Sequence, residues 1–343
     1  MPTKFYDYSK VLSYNAPYNH CVGGRGIGKT YGAKKKAIRD ALKDIVNGYQ
    51  FIYLRRYKKE LQISRDTFFA DIQHEFPDYD FRINSYFAQA APASTRDDKK
   101  REWHTIGYFI ALSVAQTYKS VAFPRVKTII FDEYVIEKGA IHYLPDEAKV
   151  FNNFYSTVDR YKDKTRVFFL ANSVSITNPY FIEYKVDPNK ADKNGILKMF
   201  DGFMVIHFID SEEFKQEVYN TKFGRFIQGT EYADYAVENE FFDNNDSMIG
   251  LKPPTAQYMF TLETATGTFS VWYDAKTSMW FSQLDRPGQE IKFTMVNERM
   301  DEDKTLVTFN DKSIARLRSA YRHGNMRFDV ASVRNAFIET FKR

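Results

Sequence analysis

Read for its apolar and polar positions, the chain divides into a long first part that alternates two kinds of pattern and a shorter second part. In the first part, His20-Cys21-Val22, Gln50 to Leu54, Thr128 to Phe131 and Arg166 to Asn172 are almost unbroken apolar runs of strand length. Such runs fit strands buried on both faces, with polar residues emerging only at the carboxyl ends. Between them the period changes. Apolar pairs at Ala37/Ile38, Ala41/Leu42 and Ile45/Val46 repeat every four residues and predict a helix, which Asn47-Gly48 would stop. A second helix is expected over Tyr57 to Phe76, closed by Pro77-Asp78. A third is expected over Asp146 to Tyr161, with Val150, Phe151, Phe154, Tyr155 and Val158 as its buried stripe. Asp80 to Phe87 and Trp103 to Leu112 read as strands around the polar loop Pro92 to Arg101, and Phe203 to Ile209 as one more. Strands alternating with helices predict an α/β three-layer sheet.

From about Asp210 to Ser247 the composition turns polar and acidic, and Asp243-Asn244-Asn245-Asp246 suits a linker. Beyond it, strand-like runs cluster at Ala256 to Glu263, Thr268 to Tyr273, Met279 to Leu284 and Ile291 to Val296, with two helices over Asp311 to His323 and Asp329 to Arg343. The expected organisation is therefore an α/β domain over 1–209, a linker or lid over 210–247, and a small α+β domain over 248–343. Met1 to Pro17 is tyrosine-rich and is expected to pack on the first domain.

The chemistry concentrates where the first run ends. Gly23-Gly24-Arg25-Gly26-Ile27-Gly28-Lys29-Thr30 satisfies G-x-x-x-x-G-K-[ST], the phosphate-binding loop, between a strand and a helix. Its backbone N–H groups would face phosphate oxygens, which side chains at the glycines would obstruct. Lys29 would reach the β- and γ-phosphates of ATP, Thr30 would ligate Mg²⁺, and the helix N-terminus favours the anion. About a hundred residues on, Thr128-Ile129-Ile130-Phe131-Asp132-Glu133 buries a strand and ends in two acids. Asp132 suits the Mg²⁺ shell, and Glu133 the orientation or deprotonation of the attacking water. Asn172 ends another buried run, where a polar group senses a γ-phosphate or merely makes a turn.

Composition removes competing classes. There is a single cysteine, Cys21, so no internal disulfide, and no CxxC, HExxH or G-x-S-x-G. His142, His207 and His323 are isolated and read as structural. With no apolar run of transmembrane length and no signal-like start, a soluble cytosolic protein without membrane contact is expected. The formal charge is +5, and Lys or Arg at 312, 316, 318, 322, 327, 334, 342 and 343 face only Asp329 and Glu339. That tail suits either a nucleic-acid surface or a solvated helical face.

With these residues in view, the chain resembles the viral DNA-packaging ATPases of small tailed phages with protein-primed genomes, the phi-twenty-nine type. The resemblance runs through Val22 to Lys29, Phe51 to Tyr57, Glu75 to Asp78, Ile130 to Glu133, Ala171 to Ser175, Asn178 to Phe181, Phe223 to Arg225 and Gly229 to Tyr232, and more weakly through Arg327 to Asp329. It implies a P-loop fold of the ASCE type related to large terminases, acting as a homomeric ring of five subunits. That ring would sit at the portal vertex of the assembling capsid in the host bacterial cytoplasm. The partners implied are double-stranded DNA, a prohead RNA and the capsid portal or connector. The resemblance also implies an arginine finger at Arg160, with Arg166 as rival, and a second trans-acting basic residue at Lys119. The second domain would resemble a degenerate ribonuclease H-like fold; its acids Glu263, Asp274 and Asp285, and Asp301-Glu302-Asp303, read as surface groups. Two alternatives stand beside a DNA-translocating ATPase: a terminase with a working nuclease, and a nucleotide-gated nucleic-acid-binding assembly protein.

Overall fold

The computed structural model describes residues 6–136, 141–172, 175–238, 247–284 and 291–341. The chain forms two units, residues 1–174 with 190–240 and residues 175–189 with 241–343.

The first unit runs α1 (Ser9–Leu12), β1 (Tyr18–Gly23), α2 (Lys29–Leu42), β2 (Gln50–Arg55), α3 (Lys58–Asp66), β3 (Tyr79–Asn84), β4 (Phe87–Pro92), β5 (His104–Ala111), β6 (Val126–Asp132), α4 (Glu147–Asp159) and β7 (Arg166–Ala171). The short helix α5 (Pro179–Glu183) belongs to the second unit, after which the first resumes with β8 (Ile196–Met199), β9 (Met204–Ile209), α6 (Glu212–Tyr219), α7 (Lys222–Ile227) and α8 (Glu231–Ala236). Among the described residues nine strands form one sheet in the order β3-β4-β5-β2-β6-β7-β1-β9-β8. The inner run from β5 to β9 is parallel, and antiparallel pairs add β4, β3 and β8 at the edges. β7 lies between β1 and β6, the order of an ASCE-type P-loop sheet, so the ends of all three strands open on one rim.

Packing explains why the strands are so apolar. Every residue of β1 and β2 is buried. Phe151 of α4 stacks on Phe131 at 5.5 Å and tilts against Phe169 at 4.7 Å, aromatic pairs that contribute roughly 0.5–1.5 kcal/mol each beyond area burial. On the other face α2 buries Ala33, Ala37, Ile38 and Ala41. The amino-terminal segment packs there, with Tyr8 and Val11 in the same core. A Cβ at Gly32 would lie 2.9 Å from the Tyr8 ring, which is why α2 carries a glycine at that point.

Three segments depart from expectation. The helix expected to Phe76 stops at Asp66, because Phe68, Phe69 and Ile72 enter the core through turns instead. The strand expected over Asp80 to Phe87 is the hairpin β3–β4, in which Ala88, Ala90 and Ala91 are fully buried. Residues 210–238, read as linker or lid, fold into α6–α8 within the first unit, each capped by a hydroxyl: Ser211, Thr221 and Thr230.

The second unit contains β10 (Gln257–Glu263), β11 (Thr268–Asp274), β12 (Met279–Gln283), β13 (Lys292–Thr294), β14 (Lys304–Leu306), α9 (Lys312–Arg322), β15 (Met326–Phe328) and α10 (Ala331–Phe341). Its strands run β14-β13-β10-β11-β12-β15. β11 runs antiparallel to both β10 and β12, and β13 and β14 run parallel to β10. Those five strands have the order and polarity of a ribonuclease H-like sheet. Ile182 of α5 shares its core with Leu262, Phe269, Val333 and Phe337. Among the described residues no helix is long and apolar enough to cross a membrane.

Candidate nucleotide site

The phosphate loop leaves β1 through positions that only glycine fits. A Cβ on Gly23 would lie 2.8 Å from both Ile209 Cβ and its carbonyl oxygen. Gly26 and Gly28 have φ of 94° and 83°, in the left-handed region, and Gly28 caps α2. Ile27 anchors the loop's underside in the core, and its carbonyl accepts a 2.8 Å bond from Tyr6 N. Lys29 is buried, with its ammonium 2.9 Å from the Gly23 carbonyl and 2.7 Å from that of Gly24. Burial lowers its pKa to about 8, against the pull of Cys21 and Asp132. Asn172 Oδ1, at the end of β7, lies 3.4 Å from the same ammonium.

Thr30 and Asp132 meet as their spacing predicts. The Thr30 hydroxyl donates to Asp132 Oδ1 at 2.9 Å, and the Tyr53 hydroxyl donates to Oδ2 at 2.7 Å. This donor set fits Mg²⁺, a hard cation that takes one or two protein oxygens and completes its shell with water and phosphate. The described residues hold no cluster of three or more His, Cys, Asp or Glu, so a cation held wholly by such side chains is not built there. Mg²⁺ would neutralise charge on the transferring phosphoryl group.

Glu133 follows in the left-handed region, φ 52°, with its side chain half exposed at the same rim. Its carboxylate accepts from Arg55 Nη2 at 2.6 Å. Arg55 is buried and also faces Asp132 Oδ2 and Glu60 Oε1, each at 3.6 Å. Burial works against its charge, but the Asp132 and Glu133 carboxylates outweigh it and raise the guanidinium's pKa. Sequence reasoning placed no role on Arg55; the signal available was a charged pair, Arg55-Arg56, closing an apolar strand.

Arg160 and Lys119 are not part of this cluster. Parallel β6 and β7 pair Thr128 with Arg166, so Arg160, just before β7, lies where strands begin. The phosphate loop lies where they end, one strand away, roughly 20 Å. Arg160 is exposed in a turn where Arg160, Tyr161 and Asp163 all have positive φ. Asp159 holds that turn, its carboxylate accepting from the backbone N–H of Lys162, Asp163, Lys164 and Thr165 at 2.8–2.9 Å. Burial opposes its charge, yet these four donors prevail and keep its pKa below the usual value. Lys119 is exposed on the loop before β6, and Lys164 Nζ contacts the Phe123 and Pro124 carbonyls of that loop at 3.4 and 3.3 Å. Lys164 thus ties the loop that follows Lys119 to the turn that follows Arg160. Arg166, the rival, is half-buried and bonded to Asn15 Oδ1 at 2.7 Å and the Ala16 carbonyl at 3.3 Å.

A family model described as podovirus DNA encapsidation protein (Gp16) matches residues 2–343, across both units. The chain belongs to that family. It is 33% identical over 344 residues to the DNA packaging protein of Bacillus phage phi29, covering 99% of this chain and 97% of that one. A solved structure, the bacteriophage phi29 viral genome packaging motor assembly, contains a chain 32% identical with a TM-score of 0.66, covering 99% of both chains. The N-terminal domain of the phi29 DNA packaging ATPase is 37% identical over 61% of this chain and 98% of that one, with a TM-score of 0.50.

Within this encapsidation protein, two further features bear on the site. Helices α6–α8 touch the phosphate loop: Arg25 N donates to the Ala236 carbonyl at 3.0 Å, and the Phe214 ring lies 3.6 Å from where a Cβ of Gly26 would be. Of the second-unit acids read as surface groups, Asp274 is instead buried, and Asp301 pairs with Lys304 at 2.9 Å. Glu263 pairs with Lys304 at 3.2 Å and Arg299 at 3.7 Å, and Asp274 accepts from Thr255 at 2.8 Å and Thr277 at 2.6 Å. Asp285 lies outside the described residues. Of the basic tail, Arg316 and Arg322 are exposed, while Arg318 lies over the Phe309 ring and Arg334 is buried, so the basic face is narrower than the sequence count.

Arg55→Ala removes the one guanidinium that faces both carboxylates at the carboxyl end of β6. The expected result is a fall in kcat of about a hundredfold, the scale of a misplaced general base, with ATP affinity changed much less. Steady-state turnover beside nucleotide titration checks it; an unchanged kcat would leave Arg55 a structural residue only.

Proposed function

We propose that this chain is the ATP-hydrolysing subunit of a viral DNA-packaging motor, a homo-oligomeric ring that drives double-stranded DNA into a preformed capsid. The observation that carries the reading is the convergence of Lys29, Thr30, Asp132 and Glu133 on one rim, with Arg160 exposed a strand length away. ATP with Mg²⁺ would lie on the loop Gly23 to Thr30, Lys29 balancing the β- and γ-phosphates and Asn172 beside it. Glu133 would orient and deprotonate the attacking water. Arg160, joined by Lys119, would enter a neighbour's site, so that hydrolysis needs the assembled ring.

The relatives' names support DNA as the cargo, and the resemblance to the phi-twenty-nine type adds a five-membered ring, a prohead RNA and the capsid portal as partners, at the portal vertex in the host bacterial cytoplasm. A nucleic-acid role for the second unit is supported by the groove that Tyr273, Trp280, Arg316 and His323 line together, aromatic faces beside a guanidinium.

ATP turnover per subunit, measured across protein concentrations with and without duplex DNA, tests the proposal. Specific activity should climb with assembly and rise again with DNA. Turnover independent of both would overturn the motor and favour the nucleotide-gated assembly protein.

A further inference from the structure

Among the described residues, the most deeply buried ion pair of the first unit lies outside the nucleotide cluster. Arg56 is 1% exposed and Glu147 0%. They pair through both arms of the fork, Nε to Oε2 at 2.6 Å and Nη2 to Oε1 at 2.9 Å. Burying two charges is costly, and removing either partner would strand the other's charge. Two further bonds of Arg56 reach the backbone after β6. Nη2 donates to the Tyr134 carbonyl at 2.7 Å and Nη1 to the Glu133 carbonyl at 3.3 Å. The guanidinium therefore grips the backbone of the very residue that would activate water. Glu147, for its part, is the first residue of α4, and its Oε2 also accepts from Leu144 N at 2.8 Å. The Tyr143 ring covers the guanidinium at 4.9 Å.

At the far end of α4, thirteen residues and about 20 Å away, sits the Arg160 turn, immobilised by Asp159. The helix between is rigidly seated by Phe151, Phe154 and Val158. One group thus holds both the backbone of Glu133 and the root of the helix whose tip carries Arg160.

We propose that Arg56 and Glu147 are positioning residues forming a clasp that relays the state of a subunit's own hydrolytic site, along α4, to the Arg160 turn it offers its neighbour. This rests on the reading of Arg160 as a trans finger. A displacement of Glu133 as the γ-phosphate is bound or lost moves the carbonyls that Arg56 holds. Through Glu147 it shifts α4 as a body, and the stiff turn moves with it. The clasp and α4 give such coupling a contiguous physical route between the two ends.

A mixed-ring experiment tests whether the clasp acts beyond its own subunit's site, as a relay requires and a local role does not. Arg160→Ala subunits keep Glu133 but lack the finger; Glu133→Gln subunits keep the finger but cannot turn over. Activity in their mixture comes from interfaces where a Glu133→Gln donor lends Arg160 to an Arg160→Ala acceptor. Glu147→Gln is then added to the donor alone, whose own hydrolysis is already absent. Rescue should fall by at least about tenfold, the scale of one charge-assisted bond lost, while donor ATP affinity and co-assembly persist. Arg56→Lys in the donor, which keeps the charge but not the fork, should act the same way and serves if Glu147→Gln does not fold. Undiminished rescue by a folded clasp variant overturns the relay while leaving the trans finger intact. No rescue even by the plain donor, despite co-assembly, overturns the trans finger and the relay with it.

Discussion

Glu133→Gln should bind ATP as the parent does and hydrolyse it at least a hundredfold more slowly, since removal of a positioned general base costs about 10²–10⁴ in rate. Lys29→Ala should fail one step earlier. The Lys29 ammonium is the buried cation on the loop and is held by loop carbonyls that fix its place over the phosphate position. Loss of its charge-assisted bonds should weaken ATP binding by about a hundredfold or more. Nucleotide titration and single-turnover hydrolysis on the two proteins distinguish a binding defect from a chemical one. Parental turnover in Glu133→Gln would refute the assignment of the base. The neighbouring Asp132 carboxylate is engaged by Thr30 and Tyr53 and is buried, whereas Glu133, paired with Arg55 at 2.6 Å, keeps its side chain half exposed towards water.

The second large effect is expected at Arg160. Arg160→Ala should lower ATPase activity of the assembled protein by about 10³–10⁵, the range for an arginine finger, with each subunit's own ATP affinity kept. Arg160 lies a strand length from its own loop, so a trans role predicts that activity returns when these subunits are mixed with Glu133→Gln subunits. Arg166→Ala supplies the contrast. Arg166 is tied to Asn15 and Ala16, and its loss should lower the melting temperature more than kcat. Near-parental activity of Arg160→Ala would move the finger to Arg166 or Lys119.

How much of this could be read from the sequence depends on how local the signal was. The phosphate loop is contiguous, and its glycines are required by dihedrals and close approach that act within eight residues, so motif and structure agree. Asp132 was legible because its strand is buried on both faces. Arg55 was not: its partner Glu133 is 78 residues away, and only the adjacency of β2 and β6 brings them together. Arg56 and Glu147, 91 residues apart, were hidden for the same reason. The expected helix to Phe76 went wrong because buried apolar residues at Phe68, Phe69 and Ile72 satisfy a helical period while sitting in turns. α6–α8 were overlooked because their shared core is small, centred on Ile227, Ala233, Ala236 and Val237, and polar composition masked it.

The division of the chain bears on how load would travel through such a machine. The second unit does not hang from a single strand of polypeptide: residues 175–189 belong to it, and the chain then returns to the first unit for β8, β9 and α6–α8 before leaving again. Three covalent crossings therefore join the units. The first begins three residues beyond Asn172, the side chain beside Lys29. Tension applied to the second unit would reach the catalytic rim along the backbone of β7 itself, with no side-chain contact needed to carry it, and the two remaining crossings would share the strain.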